Sequence, residues 1–133
     1  MMLYMLDTNI VSDALRNPRG SVAKRISQTN DEDICLSIVV AAELRFGAAK
    51  RGSKTLTMLI EGFIERTQVM PLGPSADQFY AELRLSLEKA GTPMGGNDML
   101  IAAHALALGA TLVTDNEREF ARIKSLNVEN WLQ

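Results

Sequence analysis

The chain has 133 residues, of which 47% are hydrophobic and 23% are charged, and its formal net charge is −2. These values are typical of one globular domain with its own hydrophobic core, so we expect residues 1–133 to form a single domain. A net charge this close to zero excludes a protein that holds polyanions by bulk electrostatics alone.

The sequence also predicts a cytoplasmic protein. Its apolar runs are too short to cross a bilayer, and Met1-Met2 leads into no secretion signal. The one cysteine, Cys35, lies in the apolar run "DICLSIVV". It has no partner for an intramolecular disulfide, so we expect it to be a small buried residue in a reducing compartment.

Strands and helices are predicted to alternate along the chain. In chain order the prediction is strand 3–6, helices 9–17 and 21–28, strand 34–37, helices 38–52 and 53–67, strand 69–72, helices 75–91 and 97–109, strand 111–114, a helical turn at 117–124 and a short strand within 127–132. Such alternation predicts an α/β fold with a central, mostly parallel sheet of about five short strands and helices on both faces.

Two local signals refine this prediction. Pro71 has no amide hydrogen to donate to a neighbouring strand, which places strand 69–72 at an edge of the sheet. Ser75 and Gln78 have the spacing of a capping box at the start of helix 75–91, and Gly91 stands just past the end of that helix.

Two of the predicted strands run directly into a carboxylate. Asp7 follows "LYML", and Asp115 follows "TLVT". Ligands of open parallel sheets bind beyond the carboxyl ends of the strands, so we expect both side chains to face one ligand site. An Asp after a strand is also common in turns, and neither residue alone identifies a function.

Two further acids come from apolar helices. Helical spacing puts Glu43 on one stripe with Val39 and Phe46, which predicts that this stripe faces the sheet. Asp98 lies in the first turn of an apolar helix, where the partial positive charge of the helix start favours a carboxylate. We expect both acids to lie near the same edge of the sheet.

Four carboxylates in one pocket need a counter-charge, because like charges raise one another's pKa and buried ions are costly. Arg16, Arg45 and Arg118 are candidates to supply it. The alternative is a hard divalent cation, which prefers oxygen ligands. Mg²⁺ keeps several waters and leaves room for a phosphate oxygen, an arrangement that suits phosphodiester hydrolysis.

The segments "MLDTNI", "AAEL", "GTPMGGNDMLIAAHAL" and "LVTDNEREFARI" resemble, in this order, the PIN-domain ribonucleases, and more narrowly the VapC toxins of type II toxin–antitoxin pairs. The resemblance implies that four acids are catalytic and hold Mg²⁺ or Mn²⁺: Asp7, Glu43, Asp98 and Asp115. It also implies three supporting polar residues: Thr8, Asn9 and Thr114. The last acid varies within the family, so Glu117 and Glu119 remain alternatives to Asp115, which we prefer because it directly follows the strand.

By the same resemblance the protein is a metal-dependent endoribonuclease that blocks translation. Its substrate would be tRNA or ribosomal RNA, and resemblance favours initiator tRNA. The implied partners are a VapB-like antitoxin that inhibits the enzyme and a second copy of the chain in a homodimer. Operator DNA would be reached only through the antitoxin, and no contact with a membrane is implied.

Two other functions stay open at this point. One is a catalytically inactive PIN fold that serves as a binding module. The other is a different metal-dependent nuclease or phosphohydrolase, such as a DNA nuclease or an aspartyl phosphatase. A phosphatase of that kind would need a second acid at position 9, where this chain has Asn9.

Three conspicuous features are predicted to be structural. His104 has no second His or Cys at ligand spacing, so we expect it to pack in the core. Trp131 is expected to anchor the last strand. Gly95-Gly96 belongs to neither of the common phosphate-binding glycine motifs, which argues against nucleotide binding.

Overall fold

A computed structural model describes residues 2–132 of the protein and places five parallel strands at their centre. The strands are β1 (Tyr4–Leu6), β2 (Ile34–Ser37), β3 (Gln68–Met70), β4 (Thr111–Val113) and β5 (Val128–Glu129). Their order in the sheet is β3-β2-β1-β4-β5, and every neighbouring pair is parallel. The predicted α/β fold is confirmed.

Seven α-helices connect and cover the strands within residues 2–132. They are α1 (Thr8–Arg16), α2 (Ser21–Gln28), α3 (Ile38–Arg51), α4 (Lys54–Glu65), α5 (Ala76–Lys89), α6 (Gly96–Leu108) and α7 (Glu117–Phe120). None of these helices combines the length and the apolar content that a bilayer crossing needs.

The central strands are buried on both faces, which explains why their sequences are continuous apolar runs. Met5 of β1 lies opposite Cys35 of β2 and Leu112 of β4, and all three side chains have no exposed surface. Cys35 is a free, buried thiol, as predicted. Burial raises its pKa to about 12, so it stays protonated and unreactive.

The structure moves the boundaries of four predicted strands, and β1 and β4 are each one residue shorter than predicted. β3 lies at the edge of the sheet, as Pro71 predicted, but it ends at Met70 because Pro71 cannot continue the ladder. The last strand is shorter than the predicted segment 127–132 and consists of Val128–Glu129 alone. The residues after it turn away and bring Trp131 into the core.

The predicted capping box at α5 is wrong. Ser75 occupies the N-cap position with a φ of 74°, in the left-handed region, and its side chain makes no capping hydrogen bond. A capping side chain needs an extended N-cap backbone to reach the free N–H groups of the first turn. The N–H of Gln78 instead donates to the carboxylate of Asp77 at 2.9 Å.

The predicted orientation of α3 is wrong for one residue. Phe46 is 67% exposed instead of facing the sheet. The helix buries the neighbouring stripe that contains Val40, Leu44 and Ala48. Because α3 is apolar on more than one side, its spacing alone does not decide which stripe packs on the core.

The strand order creates a single switch point at β1. The chain winds from β1 towards β2 and β3 on one side, and the later strands β4 and β5 lie on the other side. In folds of this kind the crevice beyond the carboxyl ends of the strands at the switch point is the usual ligand site. Here that crevice lies beyond β1 and β4.

Candidate active site

Asp7 is fixed at the switch point by the two elements that meet there. The N–H of Asp7 donates to the carbonyl of Val113 at 2.9 Å, which extends the pairing of β1 with β4. Its carboxylate accepts one hydrogen bond from the N–H of Thr8 and one from the hydroxyl of Thr114, both at 2.8 Å. Asp7 therefore caps α1 and points into the crevice at the end of the sheet.

The environment of Asp7 is unfavourable for a charge. Its side chain is 7% exposed, and burial raises its pKa above the usual range although the hydrogen bonds from Thr114 and Thr8 oppose that effect. The charges of Glu43 and Asp115 raise the pKa of Asp7 further. Three of the predicted acids are thus close enough to interact.

Glu43 is half-buried on α3 and is held by polar side chains from two other helices. Its carboxylate accepts a hydrogen bond from the hydroxyl of Thr8 and another, at 3.3 Å, from the amide of Asn97. Arg45, which the sequence offered as a possible counter-charge, instead pairs with Glu61 at 2.8 Å on the surface. Glu43 is thereby left facing the other acids.

Asp98 lies in the first turn of α6 and is half-buried beside the same crevice. Burial is the main cause that raises its pKa to about 6, and the charges of Asp7, Glu119 and Glu43 add to the shift. Asp98 is therefore the acid in this cluster that most needs a positive neighbour.

The candidates for the fourth acid lie in different environments. Asp115 is exposed, and its carboxylate accepts a hydrogen bond from the amide of Asn9 at 3.3 Å. Glu119 is half-buried and accepts one from Asn116 at 2.8 Å. Glu117 is exposed and instead contacts Asn130 at 3.2 Å. Asp115 therefore borders the cluster beside Asp7, Glu119 borders it beside Asp98, and Glu117 takes no part in these contacts.

The cluster has no internal counter-charge. Within residues 2–132, no Lys or Arg forms a salt bridge with Asp7, Glu43, Asp98 or Asp115. In the same part of the chain no three Asp, Glu, His or Cys side chains are already placed to enclose a metal ion. The site is thus a set of neighbouring carboxylates that repel one another. Their side chains are not arranged to surround a metal ion on their own.

This donor set fits a hard divalent cation. All the candidate ligands are oxygens, and Mg²⁺ binds through one or two carboxylates while it keeps several waters. The hydrogen bonds of Thr8, Asn9 and Thr114 hold three of the acids in place, as outer partners of metal ligands do. The raised pKa values of Asp7 and Asp98 show that both carboxylates lie where a negative charge is disfavoured, so a positively charged ligand would be stabilised there.

Sequence reasoning missed two supporting residues, Asn97 and Asn116. Each is the sequence neighbour of a candidate acid, but each donates to a different carboxylate, Glu43 and Glu119 respectively. Their proximity to acids in the sequence was the only available signal. It does not show which carboxylate an amide reaches once the chain is folded.

His104 and Trp131 are structural, as predicted. His104 is 1% exposed, and its Nδ1 lies 2.8 Å from the hydroxyl of Ser37, which caps α3. Burial lowers the pKa of His104, and the nearby carbonyl of Pro71 partly opposes that shift without forming a well-aligned hydrogen bond to Nε2. Trp131 is 2% exposed and packs edge-to-face on Tyr4.

Comparison with known proteins identifies the family. A family model described as the PIN domain matches residues 4–126. Ribonuclease VapC2 of Rickettsia felis is 39% identical over 98% of this chain and 98% of its own length. The tRNA(fMet)-specific endonuclease VapC of Shigella flexneri is 36% identical over 98% of this chain and 99% of its own.

Solved structures agree with this result. The structure of VapBC2 from Rickettsia felis bound to a DNA fragment from their promoter matches with a TM-score of 0.88 at 37% identity, covering 98% of this chain and 99% of that chain. DNA-bound VapBC from Salmonella typhimurium matches with a TM-score of 0.89 at 34% identity and the same coverage. The chain belongs to the PIN-domain family and, within it, to the VapC ribonucleases.

Proposed function

We propose that the protein is a Mg²⁺-dependent endoribonuclease that acts as the toxin of a type II toxin–antitoxin pair. The observation that carries this proposal is the cluster of Asp7, Glu43 and Asp98 at the switch point, with two raised pKa values and no basic partner among residues 2–132. Mn²⁺ has the same preference for oxygen ligands and is the alternative ion.

In this proposal each side chain has a distinct task. Asp7 and Asp98 hold the cation, with Glu43 and the acid at the position of Asp115 or Glu119 completing the set. Thr114 and Thr8 keep Asp7 and Glu43 oriented through their hydrogen bonds. Mg²⁺ held by these acids would supply positive charge to the phosphate and would lower the pKa of a water molecule. The net charge of −2 is then no obstacle to RNA binding at this point.

The substrate and partner are proposed from the relatives. The Shigella flexneri relative is named for tRNA(fMet), and we propose initiator tRNA as the substrate here, with ribosomal RNA as the alternative. The related solved structures are VapBC complexes, some of them with DNA. We propose a VapB-like antitoxin as the inhibitor, and contact with operator DNA only through that partner.

The proposal is tested by metal removal and by one isosteric substitution. The wild-type protein should cleave RNA in Mg²⁺, stop in EDTA and recover when Mg²⁺ or Mn²⁺ is restored. Asp98→Asn should remove cleavage and weaken Mn²⁺ binding while the circular dichroism spectrum is retained. Glu65→Gln, which alters an exposed acid at the end of α4, is the matched control. Undiminished cleavage in EDTA would exclude the metal site.

A further inference from the structure

The two helices that carry Glu43 and Asp98 are joined by two polar contacts. In the first, the carboxylate of Glu43 on α3 accepts a hydrogen bond from the amide of Asn97 on α6 at 3.3 Å. In the second, the hydroxyl of Ser37, the N-cap of α3, lies 2.8 Å from Nδ1 of His104 in the second half of α6. The first contact is exposed and the second is buried, so water competes only with the first.

Both partners of the buried contact are enclosed by the fold. Ser37 has no exposed surface, and His104 is 1% exposed. The hydroxyl oxygen of Ser37 accepts a hydrogen bond from the N–H of Val39, in the first turn of α3, at 3.1 Å. Its hydroxyl hydrogen needs an acceptor of its own, and within residues 2–132 Nδ1 of His104 is the only one at hydrogen-bond distance. The serine therefore donates to the histidine.

This direction of donation sets the form of the imidazole ring. Nδ1 accepts a hydrogen bond only when it carries no proton, so the ring is neutral and its proton lies on Nε2. Nε2 has no well-aligned partner in the described part of the chain, but the carbonyl of Pro71 is nearby. That carbonyl attracts an N–H and would repel a bare nitrogen. Burial, which lowers the pKa of His104, favours the same neutral form.

We propose that His104 is a positioning residue of the candidate active site. Through Ser37 it holds the start of α3 against α6, and these helices carry Glu43 and Asp98. Glu43 lies six residues after Ser37, and Asp98 lies six residues before His104, so each acid is roughly 9 Å along its helix from the contact. Because helices are rigid elements over such a distance, a shift at the contact displaces the acids relative to each other. This inference rests on the proposed metal-dependent function.

The first test measures metal affinity in two variants of His104. In His104→Asn the carbonyl oxygen is the same number of bonds from the backbone as Nδ1, so it can still accept from Ser37. His104→Leu fills the space but accepts no hydrogen bond. Mn²⁺ affinity, followed by the electron paramagnetic resonance signal of free Mn²⁺, should fall by about 10-fold in His104→Leu, the lower end of the loss when an outer partner of a metal ligand is removed. His104→Asn should bind Mn²⁺ as the wild-type protein does.

Urea unfolding of the same proteins distinguishes positioning from a purely structural role. Both variants should be less stable than the wild-type protein, since His104→Asn leaves a cavity and His104→Leu leaves the hydroxyl of Ser37 without an acceptor. Metal affinity that merely followed stability would fall in both, whereas a positioning role lowers it in His104→Leu alone. Val22→Ala is the matched control, because it removes buried apolar atoms from α2, which carries none of the acids. It should lower stability and leave Mn²⁺ affinity unchanged.

Ser37→Ala removes the same contact from the other side, together with the cap of α3. It should weaken Mn²⁺ binding by about the same factor as His104→Leu. The double variant should weaken binding no further, because the two residues share one hydrogen bond. Losses of affinity that add in the double variant would overturn the proposed link.

Nuclear magnetic resonance tests the contact without any substitution. The chain has one histidine, so in a protein without a histidine tag the ring ¹⁵N signals belong to His104. They should show a neutral ring with its proton on Nε2, both without metal and with Mg²⁺. A charged ring, or a proton on Nδ1, would also overturn the link.

The outcomes separate this inference from the proposed function. A wild-type protein that binds no Mn²⁺ and cleaves no RNA would refute the proposed function. If the wild-type protein binds Mn²⁺ and His104→Leu binds it equally tightly, the positioning role is overturned. The same follows if His104→Asn loses as much affinity as His104→Leu. Should His104→Leu fail to fold, Ser37→Ala decides the question by the same measurement.

Discussion

At the scale of single residues, Asp7 shows why a buried strand ends in a carboxylate. Its side chain is held by Thr8 and Thr114, which fix its direction without neutralising its charge. Burial nevertheless raises its pKa. A carboxylate held where burial disfavours its ionised form is typical of a functional site, in which a bound ligand offsets the cost of the buried charge.

Asp98 predicts a measurable pH dependence of stability. Its pKa is raised to about 6 in the folded protein from 3.8, so the folded state takes up this proton before the unfolded state does. Above pH 6 the ionised side chain therefore destabilises the metal-free fold, and this destabilisation is lost as the pH falls from about 6 towards 4. Asp98→Asn should raise the free energy of unfolding at pH 7.5 by on the order of 1 to 2 kcal/mol, allowing for solvent screening.

The measurement is urea unfolding of both proteins without metal at several pH values. The difference between them should shrink to near zero below pH 4. His104 acts in the opposite sense, because its lowered pKa removes stability as the pH falls below 6.5, but it is present in both proteins and cancels in the difference. A wild-type protein that is the more stable of the two at pH 7.5 would contradict the cluster's electrostatics.

At the scale of elements, two helices that begin with a serine have different starts. Ser53 precedes α4 and accepts a hydrogen bond from the N–H of Leu56 at 3.1 Å. Ser75 precedes α5 in a left-handed backbone and makes no such bond. The same residue type therefore stabilises one helix and strains the start of the other.

This difference predicts opposite responses to substitution. Ser53→Ala should lower the free energy of unfolding by about 1 kcal/mol through the lost cap. Ser75→Gly should raise it by about 0.5 kcal/mol, because glycine adopts a positive φ without the Cβ penalty, partly offset by its greater freedom in the unfolded chain. Thermal or urea unfolding measures both. Equal losses at the two serines would show that Ser75 caps α5 after all.

At the scale of the whole molecule, several large apolar side chains remain uncovered. Met58 of α4 is 75% exposed and Leu85 of α5 is 56% exposed. We predict a homodimer that covers part of this surface, so light scattering at tens of micromolar should give about twice 14.6 kDa. Met58→Lys or Leu85→Lys should shift the mass towards the monomer, and Thr57→Lys, on the exposed side of α4, should not. A monomeric wild-type protein would refute the prediction.

The proposed antitoxin gives a second prediction at this scale. An apolar groove of about 430 Å³ lies beside Glu43, and Val39, Phe46 and Leu100 contribute to its lining. A partner helix in that groove can place an arginine among the acids, because a guanidinium pairs well with carboxylates. The arginine and the metal would then compete for the same ligands.

Inhibition by the antitoxin should therefore weaken as the divalent cation concentration rises, which is measured by RNA cleavage at fixed antitoxin. Replacing that arginine with Gln in the partner should cost more inhibition than affinity, since the groove contacts remain. A purified complex that keeps its full metal content and is still inactive would rule this mechanism out.

The sequence by itself determined the parallel sheet, its edge at Pro71, and the appearance of Asp7 and Asp115 at strand ends, because these follow from apolar runs and turn chemistry within a few residues. The tertiary structure alone decided which groups meet. Thr114 reaches Asp7 across 107 residues of sequence, and Thr8 reaches Glu43 across 35.

The absence of tertiary information from the sequence also explains the two wrong predictions, which concern Phe46 and Ser75. Phe46 was predicted to face the sheet because periodicity shows which residues share a side of a helix but not which side packs on the core. Ser75 was predicted to cap α5 because residue spacing does not reveal the backbone angle φ. The preference for Asp115 over Glu119 stays a prediction, because distance from the strand was the only sequence signal. In the fold the charge of Glu119 raises the pKa of Asp98, an effect that depends on where the tertiary structure brings the two residues and not on any local pattern.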